Sequence, residues 1–269
     1  MLSNHTEGVF NHSVYLPSKG AAFGVAAVYY AFGVVLTVQS VRARNFSPSW
    51  YAVLTALMLG GAFTARGVYA PQNSVNSSAI TAFSVLDAIA PNFVNLVDYI
   101  VLIVLLRGLS RPPPRHILLG MRVFAIFIAL TFGALATAGM VLAARNSSNK
   151  YPNTAIELIR ASVAGQLSAN ILFVILASVL LLRYREALRF TRTVIIIYTG
   201  GLLLIAHNSA KIVPAFYPQN TLMRSSEAAL YCLDPLFTLL IIFVWVVLDL
   251  PRRCRQKTVD ASKAYNNTA

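Results

Sequence analysis

Residues 123–144 read VFAIFIALTFGALATAGMVLAA, 22 residues without a charged or amide side chain. A helix rises about 1.5 Å per residue, so this run spans roughly the 30 Å hydrocarbon core of a bilayer. In water the same helix would present apolar side chains on every face and would need partners all round it. Its neighbours are built alike. Working outward, runs with little or no charge recur at about 20–41, 49–67, 78–106, 161–182, 193–211 and 226–248, and the central one extends over about 120–144. The second is the shortest and the richest in small residues. Seven apolar helices leave too few residues to cover them in water. The expected fold is therefore all-α: a polytopic membrane protein, a seven-transmembrane helix bundle over 20–248.

Composition agrees with that reading. Of the 269 residues, 57% are hydrophobic and 12% charged, about half the charge of an ordinary soluble domain. Such hydrophobicity excludes a disordered chain. Two cysteines exclude a disulfide scaffold, and no bridge is expected between Cys232 in an apolar run and Cys254 in a basic tail. The formal net charge of +13 admits two readings, a nucleic-acid partner or basic cytoplasmic loops. Position decides between them. With the N-terminus outside, 15 of the 22 Lys and Arg fall in cytoplasmic segments. The charge then orients the bundle, N-terminus outside and C-terminus cytoplasmic, and no nucleic acid is implied. Acceptor sequons at Asn4, Asn11, Asn76 and Asn146 fall outside in this topology, and those at Asn45 and Asn266 inside. A glycoprotein is the corresponding expectation.

Residues 1–19 form a polar extracytoplasmic tail without the basic start and short apolar run of a cleaved leader, so the first span is expected to act as a signal anchor. The loops are short, and the Arg111-Pro112-Pro113-Pro114-Arg115 connector is expected to be stiff and extended. The basic tail, 249–269, is expected to lie along anionic lipid. Cys254 within it is either an acylation site or a plain cytosolic thiol.

Ionisable groups inside a membrane are costly, so each is a candidate functional residue, with a helix-locking polar pair as the plainer alternative. In the seventh span Glu227, Tyr231 and Asp234 are spaced i, i+4, i+7 and share one helix face. Pro235 follows, where a proline permits a kink. In the sixth span His207, Lys211 and Pro214 share a face. Lys211 is the expected counter-charge for Glu227 or Asp234, and His207 is a candidate proton carrier. The third span holds Asp87 and Asp98, eleven residues or about three turns apart, with a kink expected at Pro91 and further polarity from Asn92, Asn95 and Tyr99. Arg66 is a candidate partner for one of these aspartates or an interfacial group. Gln166 and Asn170 are expected to hydrogen-bond across helices. The Gly20-x-x-x-Gly24 pair is a weak helix-packing signal.

Several chemistries find no support. The histidines are His5, His12, His116 and His207, a set that offers no cluster of zinc ligands. The last span has no lysine for a retinal Schiff base, and no phosphate-binding glycine loop is present. No nucleophile stands at motif spacing from a base. No catalytic residue, metal or cofactor is expected.

These residues also carry a resemblance. Tyr15-Leu-Pro17-Ser18 opens the first span, Arg66 ends the second, Ala90-Pro91 precedes Tyr99 by eight in the third, Gly165-Gln166 stands in the fifth, and Glu227-x-x-x-Tyr231-x-x-Asp234 stands in the last. The chain resembles the fungal RTA-like (resistance-to-aminocholesterol) lipid-translocating exporter family, as a divergent member. It departs from the family at Leu59, where the family has an acid, in its wholly apolar fourth span, and in having His207, Lys211 and Pro214 where the family reads Arg, Arg and Glu. It also has Leu250-Pro251-Arg252 in place of a His-Pro-Gly-like turn. The resemblance implies a fungal multi-pass protein of the plasma membrane or an endomembrane, associated with sphingoid-base movement and tolerance to toxic amphiphiles.

The leading expectation is a protein that binds and translocates an amphiphilic small molecule, with membrane lipids as its other partners. Asp87, Asp98, Glu227 and Asp234 would meet a cationic head group. Tyr99 and Tyr231 would add cation–π contact, and His207 and Lys211 would balance charge in the empty site. A seven-transmembrane receptor or sensor fits the same topology, and an intramembrane lipid-modifying enzyme with a carboxylic acid as proton donor is the third reading.

Overall fold

The structure, a computed structural model, describes residues 18–43, 46–69, 77–145, 153–216, 235–252 and 254. Among them every regular element is a helix. The order is α1 (Lys19–Ala43), α2 (Phe46–Tyr69), α3 (Ser77–Arg107), α4 (Arg115–Arg145), α5 (Asn153–Arg183), a 3₁₀ turn (Arg185–Arg189), α6 (Thr191–Phe216) and α7 (Pro235–Val247). Helices α1 to α6 are each long and apolar enough to cross a membrane. Helix α7 is apolar but 13 residues long, and the chain just before it lies outside the described residues. The Pro112–Pro114 run is non-helical, and α4 starts directly after it.

Consecutive helices pack against one another, and α3 also packs against α6. Helix α3 is the central post: 78% of its apolar window is buried, against 28% for α1 and for α4. The outer helices explain the all-round hydrophobicity. In α4 the stripe Leu119, Val123, Phe127 and Leu130 is exposed, while Leu118, Met121, Ala125 and Ile128 on the other side are buried. An exposed stripe of this size would mark a docking site in water; on a membrane helix it is the lipid-facing side.

Small residues set the helix spacing, though not where the sequence pattern suggested. A Cβ added at Gly24 would meet nothing within 4 Å, and one at Gly20 would meet Ser18 Oγ at 3.9 Å. Among the described residues the Gly20-x-x-x-Gly24 pair therefore makes no close helix contact. The close approach is the reverse one, where the rings of Tyr30 and Phe23 on α1 lie against Gly60 and Gly67 of α2, at 2.7 and 2.9 Å from where a Cβ would sit.

Pro91 lies inside the continuous helix α3. Its ring removes one backbone donor and crowds the preceding turn. The Asn92 side chain donates from Nδ2 to the Ala88 carbonyl at 3.2 Å, one residue along from the Asp87 carbonyl that loses its donor to the proline.

Helix α7 is pinned to α1 at both ends. The Tyr29 hydroxyl donates to the Pro235 carbonyl at 3.1 Å and shares a 2.6 Å hydrogen bond with Thr238 Oγ1, while Gln39 Nε2 donates to the Val246 carbonyl at 2.9 Å. Pro235 is the first described residue of α7. The other end turns through Asp249 in the left-handed region, φ 50°, a conformation Asp tolerates better than most residues. That turn folds Leu250 and Cys254 back into the core. Burial pushes the Cys254 thiol from 9.0 up to about 12. This corrects the expectation of an acylation site in an exposed tail: Cys254 is buried, with 3% of its surface exposed.

Candidate functional site: a polar seam between α3 and α6

Helices α3 and α6 run in opposite directions and meet at two polar points. At one, Lys211 Nζ donates to Asp87 Oδ2 at 2.7 Å; the side chains keep 24% and 16% exposure respectively. At the other, Asp98 of α3 faces Gly200 of α6, where an added Cβ would collide with both carboxylate oxygens. Asp87 and Asp98 are eleven residues apart, as are Gly200 and Lys211. The two contacts therefore hold a single register along the seam over about 16 Å. Periodicity placed both aspartates on one face, and that face meets α6. The described partner of Lys211 is Asp87 of α3.

Asp98 is wholly buried, and neither carboxylate oxygen has a hydrogen-bond partner among the described residues. The packing around it is tight. The ring of Tyr99 lies 4.7 Å from Phe173 of α5 and 6.3 Å from Phe124 of α4. A Cβ at Gly201 would stand 2.7 Å from Val174 and 3.2 Å from Phe173. Helices α3, α5 and α6 thus converge at this level, and two consecutive glycines let them do so. The Tyr99 hydroxyl is also buried without a hydrogen-bond partner among the described residues.

The same two helices add further buried polar groups. Asn92 and Asn95 are buried on α3, and His207 and Asn208 on α6. Neither amide atom of Asn208 has a hydrogen-bond partner, nor does Asn95 Oδ1. Most buried polar groups in folded proteins are paired, so a set of groups unpartnered among the described residues along one seam makes it the candidate site.

The other candidates fall around the seam. Arg66 is buried, and its guanidinium lies 5.2 Å from the centroid of the Phe83 ring, one turn of α3 from Asp87. Gln166 donates to Ser162 Oγ at 3.2 Å, and Ser162 donates to the Phe132 carbonyl of α4 at 2.8 Å. That chain ties α5 to α4. Asn170 is buried one turn from Phe173 with Oδ1 unpartnered. Glu227, Tyr231 and Asp234 lie outside the described residues.

Sequence reasoning missed three participants. Gly200 carries no sequence signal of its own, and Asn208 is masked by its charged neighbours. Arg160 reads as one loop charge among many, yet its Nε donates to the Ala215 carbonyl at 3.0 Å and its guanidinium lies 5.4 Å from the Phe216 ring. It closes the last turn of α6, where cations are favoured. On the opposite side of the bundle the Ser110 backbone N–H and hydroxyl donate to the Glu186 carboxylate, the hydroxyl at 2.8 Å. This joins the α3–α4 turn to the 3₁₀ turn. Among the described residues no group of three or more His, Cys, Asp or Glu is placed to hold a metal ion.

Membrane-length apolar helices around a buried polar seam define an integral, multi-pass helical membrane protein. The chain belongs to the RTA1-like family: the family described as RTA1 like protein matches residues 52–257, from within α2 to beyond α7. No curated protein and no solved structure matches it.

Proposed function

We propose that this protein binds a cationic amphiphile, of the kind a long-chain sphingoid base represents, and translocates or exports it across its membrane, so raising tolerance to toxic amphiphiles. The bundle has seven spans in this reading, N-terminus outside and C-terminus cytoplasmic, with α7 completing a span that begins near residue 226. The membrane is the plasma membrane or an endomembrane. No covalent step is involved.

One observation carries the reading: the Asp87–Lys211 pair, partly exposed in a bundle whose other polar groups on this seam are buried. A primary ammonium head group has the same charge and donor set as the lysine it would displace. Exchanging one ammonium for another at Asp87 adds no net charge to the membrane interior, so the entry step avoids most of the desolvation cost of a lone ion. The alkyl chain would remain against the apolar surfaces of the neighbouring helices. Glu227, Tyr231 and Asp234 on their shared face, together with Arg66 and Gln166, are the further residues assigned to this path.

The test is transfer of a fluorescent long-chain base between leaflets of proteoliposomes holding the purified protein. Asp87→Asn removes a charge-assisted hydrogen bond of about 1.5–3 kcal/mol, so the apparent affinity should fall about tenfold to a hundredfold. Equal transfer by wild type, Asp87→Asn and protein-free vesicles would sink the proposal.

A further inference from the structure

We infer that Asp98 is a proton-binding site, loaded and emptied as α3 and α6 close and part, and that the proton is the coupling ion of the translocation cycle. The second half of this inference rests on the translocation reading above; the first half stands without it.

Three observations bear on the cation that Asp98 can take. Both carboxylate oxygens are buried without a hydrogen-bond partner, and an uncompensated charge at that depth is costly. The space beside them is smaller than a methyl group, since a Cβ on Gly200 would overlap both oxygens. At this level of the bundle the described packing includes the Tyr99 and Phe173 rings, Val174 and the Gly200-Gly201 pair, with Gly200 directly against the carboxylate. An alkyl ammonium does not fit in less than a methyl's volume. A metal cation wants several oxygen ligands, and among the described residues no group of three or more His, Cys, Asp or Glu is placed to supply them. A proton compensates the charge and adds no volume.

The charged and titratable groups around this point are few. On α6 they are Tyr198, which shares a 3.0 Å hydrogen bond with Ser178 Oγ on α5, and, seven and eleven residues beyond Gly200, His207 and Lys211. Helix α5 has none between Arg160 and Arg183. Helix α4 brings Arg122, two residues before the Phe124 that touches Tyr99. Helix α2 brings Tyr51 and Arg66, the latter at Phe83, fifteen residues along α3 from Asp98. Helix α3 itself adds Tyr99. Among the described residues no fixed cation contacts Asp98, and in this reading a mobile one meets its charge.

The cycle follows from geometry. With the seam closed, Asp98 holds its proton. When α6 moves off α3, water reaches the carboxyl and the O–H bond breaks heterolytically, giving carboxylate and hydronium on the side that has opened. Reclosure requires that a water-borne proton be taken up again, from whichever side the seam then faces. One proton crosses per cycle, and a cationic amphiphile moving the other way keeps the exchange electroneutral.

Two measurements on the purified full-length protein in proteoliposomes decide the matter. The first is infrared absorption of the protonated carboxyl C=O stretch. A band that shifts in D2O and disappears in Asp98→Asn is expected, and its absence in wild type overturns the site. If Asp98→Asn fails to fold, Gly200→Ala replaces it. The added methyl displaces the carboxyl, so the band must move, and an unmoved band overturns the site equally. The second uses a long-chain quaternary-ammonium probe, whose fixed charge excludes simple pH trapping. One-for-one exchange predicts about tenfold accumulation in the acidic lumen per pH unit of gradient, and none with Asp98→Asn. Probe movement indifferent to the gradient overturns the coupling and leaves translocation standing. No probe or base movement under any gradient overturns translocation and with it the coupling, while the infrared band still decides whether Asp98 binds the proton.

Discussion

Replacing Lys211 by Met removes the ammonium 2.7 Å from Asp87 and keeps nearly the same side-chain volume. At an effective dielectric near 20 the attraction between such charges is about 4 kcal/mol. Removing one partner of a fully buried pair costs about 3–5 kcal/mol. Here the side chains retain 24% and 16% exposure, so water screens part of the charge and the cost should be about 2–3 kcal/mol. For a chain of this size each kcal/mol shifts Tm by about 2–4 °C, which gives a loss of roughly 5–10 °C for Lys211→Met in a thermal-shift assay in detergent. The double variant Asp87→Asn/Lys211→Met no longer holds a charge there and should recover most of that loss, although each single change removes a contact. The same assay reads the function: adding a long-chain primary amine should raise the Tm of Lys211→Met more than that of wild type, because the head group can occupy the place the lysine left and binding stabilises the folded state. If the double variant is as unstable as the two single losses added together, the two groups do not interact energetically and the exchange of lysine for head group has no basis.

Other outcomes are fixed by single contacts. Tyr29→Phe deletes the hydroxyl that bridges Pro235 and Thr238 and should cost about 1–2 kcal/mol, with hydrogen exchange in α7 rising before that in α3. Gly60→Ala should lower Tm, since the Tyr30 ring lies 2.7 Å from the new methyl, while Gly24→Ala, which meets nothing within 4 Å, should hold Tm or raise it, with a stability gain of up to about 1 kcal/mol through helix propensity. Cys254 should resist iodoacetamide at pH 8.5 in the folded protein and react once unfolded. Its thiol ionises near 9.0 when unfolded and near 12 when buried, so the folded state holds the proton more tightly. Its contribution to stability is therefore complete below pH 9 and declines as pH rises through about 12; Cys254→Ala should flatten that decline in chemical denaturation series.

What was legible in the sequence depended on how far a property reaches along the chain. The length of a charge-free run is local, so residues 123–144 announce a membrane helix without reference to anything else. Periodicity is nearly as local: eleven residues put Asp87 and Asp98 on one side of α3 whatever surrounds it. The partner of that side is not local. Lys211 pairs with Asp87, 124 residues away, which nothing near it in the sequence announces; Glu227 and Asp234, its expected counter-charges, lie outside the described residues. Glycines are the extreme case. Gly24 matches a packing motif and packs against nothing, while Gly200 matches none and shapes the tightest point of the seam, because a missing side chain acquires meaning only from the group that fills its place.

The common register of the two contacts has a mechanical consequence. Lys211 meets Asp87 and Gly200 meets Asp98 across one pair of antiparallel helices, about three turns apart. Packed helices move as stiff units, and side-chain interfaces switch between discrete arrangements in preference to sliding continuously. A shift of α6 by one turn, about 5.4 Å, would take Lys211 away from Asp87 and bring a residue with a side chain against Asp98 in place of Gly200. Neither contact can change alone. In the proposed cycle an ammonium head group that took Asp87 from Lys211 would release the lysine end of α6 and loosen the glycine end with it, opening Asp98 to water. The head-group step and the proton step would then be coupled through a rigid rod, with no relay of intervening side chains. Lengthening α6 between residues 200 and 211 by one alanine would rotate Lys211 about 100° off the seam and leave Gly200 in place. That variant should keep the infrared signature of Asp98 while losing the response of proton uptake to added amphiphile. Loss of both together, with the fold intact, would show that the two contacts are not separable ends of one helix and would refute the rod.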